Sequence, residues 1–515
     1  MASVRTLLVL SLLGAGGCSL APDPGEVAPV AGPPDEYREV SLEGTYSPQA
    51  WWHSYGDPIL DRLVDSTLAA NLDLAEAMGR VEESRALLGI SNADLFPSLT
   101  GTLNAARQDN PANAGFGAII GAILGGGTVG DSTGSGEPPP ADGEGDAETR
   151  DRSIIESFDA GLGLSYEIDF WGRARNDRRA ALADLQASAS DYQVVQLSVL
   201  SETITAYMEL LDLQHRLTLT QEILDVLKER EALSVRRYDR GLVTSFELYS
   251  VRQDRQAAEA SLPQLRSQMG EARRRLALVT GRHLDELTGL LSDREDTEEP
   301  RVLRNPIPPG LPADLLWQRP DVRASASRLE SARFRVGARK AELLPRLTLS
   351  GSLGLQSSDA DGLFDLSQWF SNLAGGLTQP LFQGGRLRAN LNAAEARYAQ
   401  QLAAHGRTVL TAVGEVEAAL QRHREELERY QTLTDQLEEA QASVSLQSER
   451  YRSGVGAYTD YLDAIRILLN TETTLSTSAR DVALARLTVH RALGGAWVPS
   501  PENETGFPNL GMNEQ

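Results

Sequence analysis

Apolar and polar residues alternate strictly from Phe158 to Ile168. Phe158, Ala160, Leu162, Leu164, Tyr166 and Ile168 share one face, and Asp159, Gly161, Gly163, Ser165 and Glu167 the other. A period of two is that of a strand, and about 9–11 residues is the length of a tilted bilayer-crossing strand. Leu347, Leu349, Gly351, Leu353 and Leu355 repeat the pattern, and Leu99–Ala105 and Leu373–Leu381 do so more weakly. Two β-hairpins are predicted. Any one of these strands alone fits an ordinary half-buried sheet. Four strands cannot close a barrel, since about eight is the smallest number that does. Membrane-crossing strands here therefore require several chains to share one barrel.

The remaining pattern is helical. No proline occurs from residue 141 to 262 or from 381 to 498. Val409, Val413, Val416, Leu420, Leu427, Tyr430, Leu433, Leu437 and Val444 keep the three-four spacing of a coiled coil. This predicts a helix from about Arg386 to Arg452, roughly 100 Å long at 1.5 Å per residue. A matching helix is predicted from Arg173 to Asp239. Gly241 and Gly454 follow as stop residues, where a left-handed backbone needs no Cβ. Apolar periodicity then resumes through Phe246, Leu248 and Val251, and through Tyr461, Leu462 and Ile465. Two long antiparallel helical hairpins result, too extended to be a compact core.

The chain is an internal repeat. Shifted by 248 positions, NLDLAEAMGRVEESRALLGI (71–90) falls on RPDVRASASRLESARFRVGA (319–338), and Pro97 falls on Pro345. Further on the shift becomes 213, aligning WGRAR (171–175) with GGRLR (384–388) and RYDRGL (237–242) with RYRSGV (450–455). The difference is a 35-residue insertion between about Arg107 and Ser157, low in complexity, which reads as a surface loop. The predicted organisation is a signal peptide (1–17), a tether (18–48), a first repeat (49–300, hairpin about 94–169), a Pro-rich linker (301–312), a second repeat (313–498) and a tail (499–515).

Composition changes this picture in one respect. With 49 Lys+Arg against 72 Asp+Glu the formal charge is −23, which excludes the basic face that a nucleic-acid partner needs. Mean hydropathy is −0.29, and beyond the first seventeen residues no apolar run reaches the roughly twenty residues of a spanning helix. The single cysteine, Cys18, excludes an intrachain disulfide and a thiolate zinc cluster. It follows Arg5, an apolar run from Leu7 to Leu13, and the small residues Ala15, Gly16 and Gly17. Such a segment is an export signal, and its end resembles the lipobox of bacterial lipoproteins, with Ala15 where leucine is usual. That resemblance implies lipidation of Cys18, and Ser19 at the next position implies sorting to the outer membrane.

Several longer motifs stand in order along the chain: WWHSYGDPIL (51–60), SYEIDFWGR (165–173), the R-Y-x-x-G turns at Arg237–Gly241 and Arg450–Gly454, LPADLLWQRPDVR (311–323) and QPLFQGGR (379–386). They resemble the outer-membrane efflux proteins, the TolC-like lipoprotein channels of resistance-nodulation-division pumps. The resemblance covers the mature chain except the tether, the insertion and the tail. It implies a mainly α protein with transmembrane β-strands, three copies of which form a twelve-stranded barrel on a helical periplasmic tunnel.

It also implies partners: a homotrimer, outer-membrane lipid, a periplasmic membrane-fusion adaptor and an inner-membrane pump. The adaptor would dock at the tip turns, here Gly241, Leu242, Val243 and Thr244, and Gly454, Val455, Gly456 and Ala457. The plainer reading is that these residues reverse the chain, and for the two glycines both readings hold together. Leu242, Val243 and Val455 are expected to be exposed there. Asp460 and Asp463 share a helical face, and in a trimer would form an anionic ring. The resemblance makes Asp463 an entrance carboxylate, with Thr459 at the apolar constriction. Surface decoration is the bland alternative for both aspartates.

Catalytic patterns do not emerge. The six histidines lack metal-ligand spacing, and no G-x-S-x-G or Walker A loop occurs. No enzyme activity and no cofactor is expected. A passive exit duct for small molecules such as drugs is the leading reading. A type I protein-secretion conduit and a coiled-coil envelope lipoprotein are the alternatives, and the alternating strands have no use in the last.

Overall fold

The structure, a computed structural model, describes residues 20–22, 50–111, 152–291, 302–303, 307 and 319–495. The signal peptide, Cys18 and nearly all of the tether, residues 112–151 within the insertion, nearly all of the linker, and the tail lie outside the described residues. The elements, in order, are α1 (Pro58–Ala70), α2 (Leu72–Ala93), β1 (Ser98–Pro111), β2 (Arg152–Ile168), α3 (Arg173–Asp239), α4 (Ser245–Val279) and α5 (Leu284–Leu291). The second half supplies α6 (Pro320–Ala341), β3 (Arg346–Ser357), β4 (Trp369–Thr378), α7 (Arg386–Arg452) and α8 (Tyr458–Ala492). The repeat is kept to the residue. The bounds of α2 and α6 differ by the first sequence shift, and those of α3/α7 and α4/α8 by the second.

Two compact units share these elements. One holds the strands, in a single antiparallel sheet of order β1-β2-β3-β4. Both predicted hairpins are present, with two differences in length. β1 and β2 extend to 14 and 17 residues, so part of the insertion continues the ladder rather than leaving it. β4 ends at Thr378, short of the expected Leu381, because Pro380 has no N–H to give.

Motif residues build the strand-to-helix turn after β2. Asp169 Oδ2 accepts from the Arg175 backbone N–H at 2.9 Å, and Arg175 Nη2 returns a bond to the Asp169 carbonyl at 2.8 Å. Trp171 Nε1 donates to the Pro345 carbonyl at 2.9 Å, tying the helix-to-strand turn that precedes β3 in the other repeat. Gly172, at φ +76°, supplies the left-handed step between them.

The other unit is helical. Its largest core joins Trp51, Trp52 and Tyr55 to Leu60 and Leu63 of α1, Leu200, Ile204 and Tyr207 of α3, Leu276 of α4 and Leu487 of α8. The WWHSYGDPIL segment is a helix start and an anchor together. Asp57 Oδ1 caps α1 by accepting from the N–H groups of Ile59 and Leu60, and Pro58 takes the first turn, where no N–H is needed. Tyr207 donates to Asp57 Oδ2 at 2.7 Å, and Tyr55 donates to the Ala483 carbonyl at 2.9 Å, across 428 residues of sequence. A second fixed point is Asp212, wholly buried on α3, which accepts from Ser476 at 3.0 Å and pairs with Arg480 at 3.3 Å, both on α8.

Candidate functional site: sheet faces and helical tip

Ladder register decides which residues share a face of the sheet, since directly paired residues project to the same side. Leu162 pairs with Gly101 and Leu353, Leu164 with Leu99 and Gly351, and Ile168 with Leu347. Leu347 pairs in turn with Leu377, Gly351 with Leu373, and Leu355 with Trp369. The alternation seen in β2 is thus continued on the same side by all four strands. That side is open: Leu99, Leu103, Leu162, Leu353, Leu373 and Leu377 are all exposed. An exposed apolar face of this breadth on an ordered sheet marks a surface of contact with membrane or protein.

The reverse side is polar. Thr100, Thr102 and Asn104 lie beside Gly163, Gly161 and Asp159, and Thr348, Ser350 and Ser352 extend the set. Asn104 Nδ2 donates to Asp159 Oδ2 at 2.8 Å. The apolar band has an upper limit, where Arg107 and Glu156 pair across the same side at 3.3 Å. From Phe158 to Ile168 the strand covers about 34 Å at ~3.4 Å per residue, or about 26 Å of height at a ~40° tilt, matching the apolar band of outer-membrane strands. Exposed Phe96, Phe170, Leu381 and Phe382 flank the helical ends of the strands, where aromatic girdles meet a membrane interface.

The helical hairpins end in two matched turns. Gly241 and Gly454 have φ of +70° and +76°. In each, the next residue's N–H reaches back to an arginine carbonyl: Leu242 to Arg237 at 2.9 Å and Val455 to Arg450 at 3.0 Å. The glycine N–H bonds Tyr238 and Tyr451 respectively, which completes a Schellman motif in both. Thr244 has a structural duty as well, its Oγ1 accepting from the Glu247 N–H at the start of α4. Ala457 occupies the same position before α8 without a side-chain bond.

Stacking joins the two turns. The Arg237 guanidinium lies 4.8 Å from the Tyr451 ring centroid, and that of Arg230 lies 4.8 Å from Tyr461 while donating to its hydroxyl at 2.6 Å. Tyr458, Tyr461, Leu462 and Ile465 close over Val251 as a small core. Leu242 and Val455 are exposed as expected, 68% and 76%, but Val243 is half-buried. Phe246, expected to resume the core stripe, is instead exposed at the tip beside Tyr249, because the stripe of α4 begins with Leu248.

Thr459, Asp460 and Asp463 are all exposed on α8. Asp463 is not a lone carboxylate. Arg466, one turn on, approaches its Oδ1 at 3.2 Å and grips Asp254 of α4 through bonds of 2.6, 2.8 and 3.1 Å. The hydrogen bond that Arg466 donates to Asp254 is foremost in holding the guanidinium above its ordinary range. Asp254 and Arg466 escaped the sequence reading because each sits in an ordinary run of helix charges. Only the pairing, 212 residues apart, gives them meaning.

An amphipathic sheet, exposed on its apolar side, and paired long helical hairpins with matched tips are the parts of an outer-membrane channel subunit. Comparison with known proteins agrees. The family profile of the outer membrane efflux proteins matches residues 63–282 and 311–495, and the chain belongs to that family. The pyoverdine export outer membrane protein OpmQ of Pseudomonas aeruginosa is 30% identical over 96% of this chain and 98% of its own length. Outer membrane protein OprJ of the same organism is 31% identical over 96% of each chain. Among solved structures, the Campylobacter jejuni CmeC outer membrane channel superposes with a TM-score of 0.81 at 25% identity, over 95% of this chain and 98% of that one. The chain is thus an outer-membrane component of an efflux pump.

Proposed function

We propose that three copies of this chain close one twelve-stranded barrel and form a passive exit duct, carrying small molecules such as drugs across the periplasm and outer membrane. One observation carries the reading. The sheet has two open edges, β1 and β4, beneath an exposed apolar face. Unpaired backbone groups are not tolerated in hydrocarbon, so such a sheet must close, and four strands close only by joining copies of themselves. The polar side then lines the lumen. Energy comes from an inner-membrane pump through an adaptor docked at Gly241–Thr244 and Gly454–Ala457, where Leu242, Val455 and Phe246 offer apolar contact. Thr459, Asp460 and Asp463 stand at the periplasmic gate, and Cys18 carries the lipid anchor. The 1–17, 18–48, 49–300, 301–312, 313–498 and 499–515 segments are the matching functional parts.

Relatives bear names that speak of pyoverdine export and toluene efflux, which suits a duct whose selectivity is set by its pump. Native mass spectrometry of the detergent-purified protein tests the assembly. Three copies are expected; a monomer or dimer at membrane-like lipid content contradicts it.

A further inference from the structure

Within the helical unit, residues of α3, α6, α7 and α8 line a half-open cavity of about 470 Å³, together with Arg319. That guanidinium is already satisfied. It donates to Asp321 at 2.6 Å, to Glu415 at 2.7 Å and to the Ala492 carbonyl at 2.9 Å. Two further guanidiniums line the cavity from different helices, Arg422 of α7 and Arg491 of α8. Neither has a hydrogen-bond or ion-pair partner among the described residues. Carboxylates one turn from Arg422 are engaged elsewhere: Glu425 accepts from Gln421 at 2.7 Å and Glu426 pairs with Arg429 at 3.3 Å. The Asp321 and Glu415 carboxylates that hold Arg319 also line the cavity, and an apolar wall of Val194, Leu197, Ala418 and Ala419 completes it, with the Ser198 and Thr488 hydroxyls between.

We propose that this cavity binds a small anionic amphiphile, a carboxylate or phosphate monoester on an apolar body, held by Arg422 and Arg491. The lining carries three guanidiniums, Arg319, Arg422 and Arg491, against two carboxylates, Asp321 and Glu415, an excess of one positive charge that a bound anion neutralises. Planar guanidiniums suit the oxygens of a carboxylate or phosphate, which they engage in pairs. The volume lies within the ~300–1,000 Å³ of ordinary ligand sites, and the apolar wall takes the remainder of the molecule. Such a ligand comes either from solution or from an envelope lipid whose headgroup enters the cavity.

The test is calorimetric titration of the full-length purified protein with phenyl phosphate, beside inorganic phosphate and phenol. Phenyl phosphate is expected to bind saturably and each half-molecule about tenfold more weakly or worse. Arg422→Gln and Arg491→Gln are each expected to weaken binding about tenfold, with Arg422→Lys restoring part of it. Arg407→Gln, exposed on the same helix outside the cavity, is expected to change nothing. Native mass spectrometry separates the sources: a retained phospholipid lost in Arg422→Gln identifies a lipid, and binding of phenyl phosphate without such a retained mass identifies a soluble ligand. Absence of both overturns the site, as does binding that the two arginine variants leave intact or that Arg407→Gln weakens equally.

Discussion

Gly281 and Gly454 share a left-handed backbone, at φ +66° and +76°, but differ in what surrounds them. A Cβ on Gly454 would meet nothing within 4 Å, whereas on Gly281 it would lie 2.1 Å from the Ala70 carbonyl oxygen. Gly454→Ala therefore carries the backbone cost alone, about 1 kcal/mol. Gly281→Ala must also displace the end of α1, on the order of 3 kcal/mol or more. Thermal midpoints at one scan rate should fall slightly for the first and steeply for the second; equal shifts would refute the distinction. The sequence placed Gly454 and Gly241 correctly from their position after a long periodic run. It could not rank Gly281, because the Ala70 carbonyl lies far off in the chain.

His423 and His490 show a second kind of residue that periodicity hides. Burial, then the Arg486 charge, pulls His423 down to about 4; the same two causes, with His423 itself, pull His490 down to about 3. His490 stacks on Trp51 at 4.7 Å, a neutral ring in an apolar seat. Both folded values lie below the ordinary 6.5, so the unfolded chain binds more protons as pH falls below 6.5. Stability is fully present above that pH and declines toward pH 4. The midpoint should drop from pH 7 to pH 5, and His423→Gln should flatten the drop. Parallel slopes for the two proteins would contradict the burial of a neutral imidazole.

At the scale of elements, the long helices were the most legible part. Proline-free stretches, stop glycines and two fixed repeat shifts located α3, α4, α7 and α8, whose bounds the structure repeats in both halves. β2 was legible from its alternation, and β4 was misplaced because Leu381 continues a hydrophobic rhythm past Pro380. Nothing local could reveal the clamp between α4 and α8, since Asp254 and Arg466 each resemble a solvated helix charge. That clamp gives a prediction. Arg466 is half exposed, which limits its ion pair to about 1 kcal/mol, roughly a fivefold bias toward the state containing it. Arg466→Gln and Asp254→Asn should each raise channel open probability, and the double variant should add little to either. Additive effects would mean that the two side chains act independently.

The chain holds a polar helical unit and an amphipathic sheet, and this is why composition was a poor guide to its place. A charge of −23 and a mean hydropathy of −0.29 describe a water-soluble average. The exposed apolar residues of the sheet are a minority, every second position in four strands, and averaging removes them. Strand alternation keeps what averaging loses, the exposed apolar face of the four-stranded sheet. In the proposed assembly, further copies close the two open edges of the sheet, and their number rests on the family resemblance.

Single-channel recording from the purified protein in planar bilayers tests the duct most directly. Discrete, long-lived conductance steps are expected, cation-selective at neutral pH, with selectivity reduced by replacing Asp460 and Asp463 with alanine. A protein that inserts as a stable trimer yet passes no current under any applied voltage, with or without Arg466→Gln, would contradict the duct and leave an envelope-spanning structural role in its place.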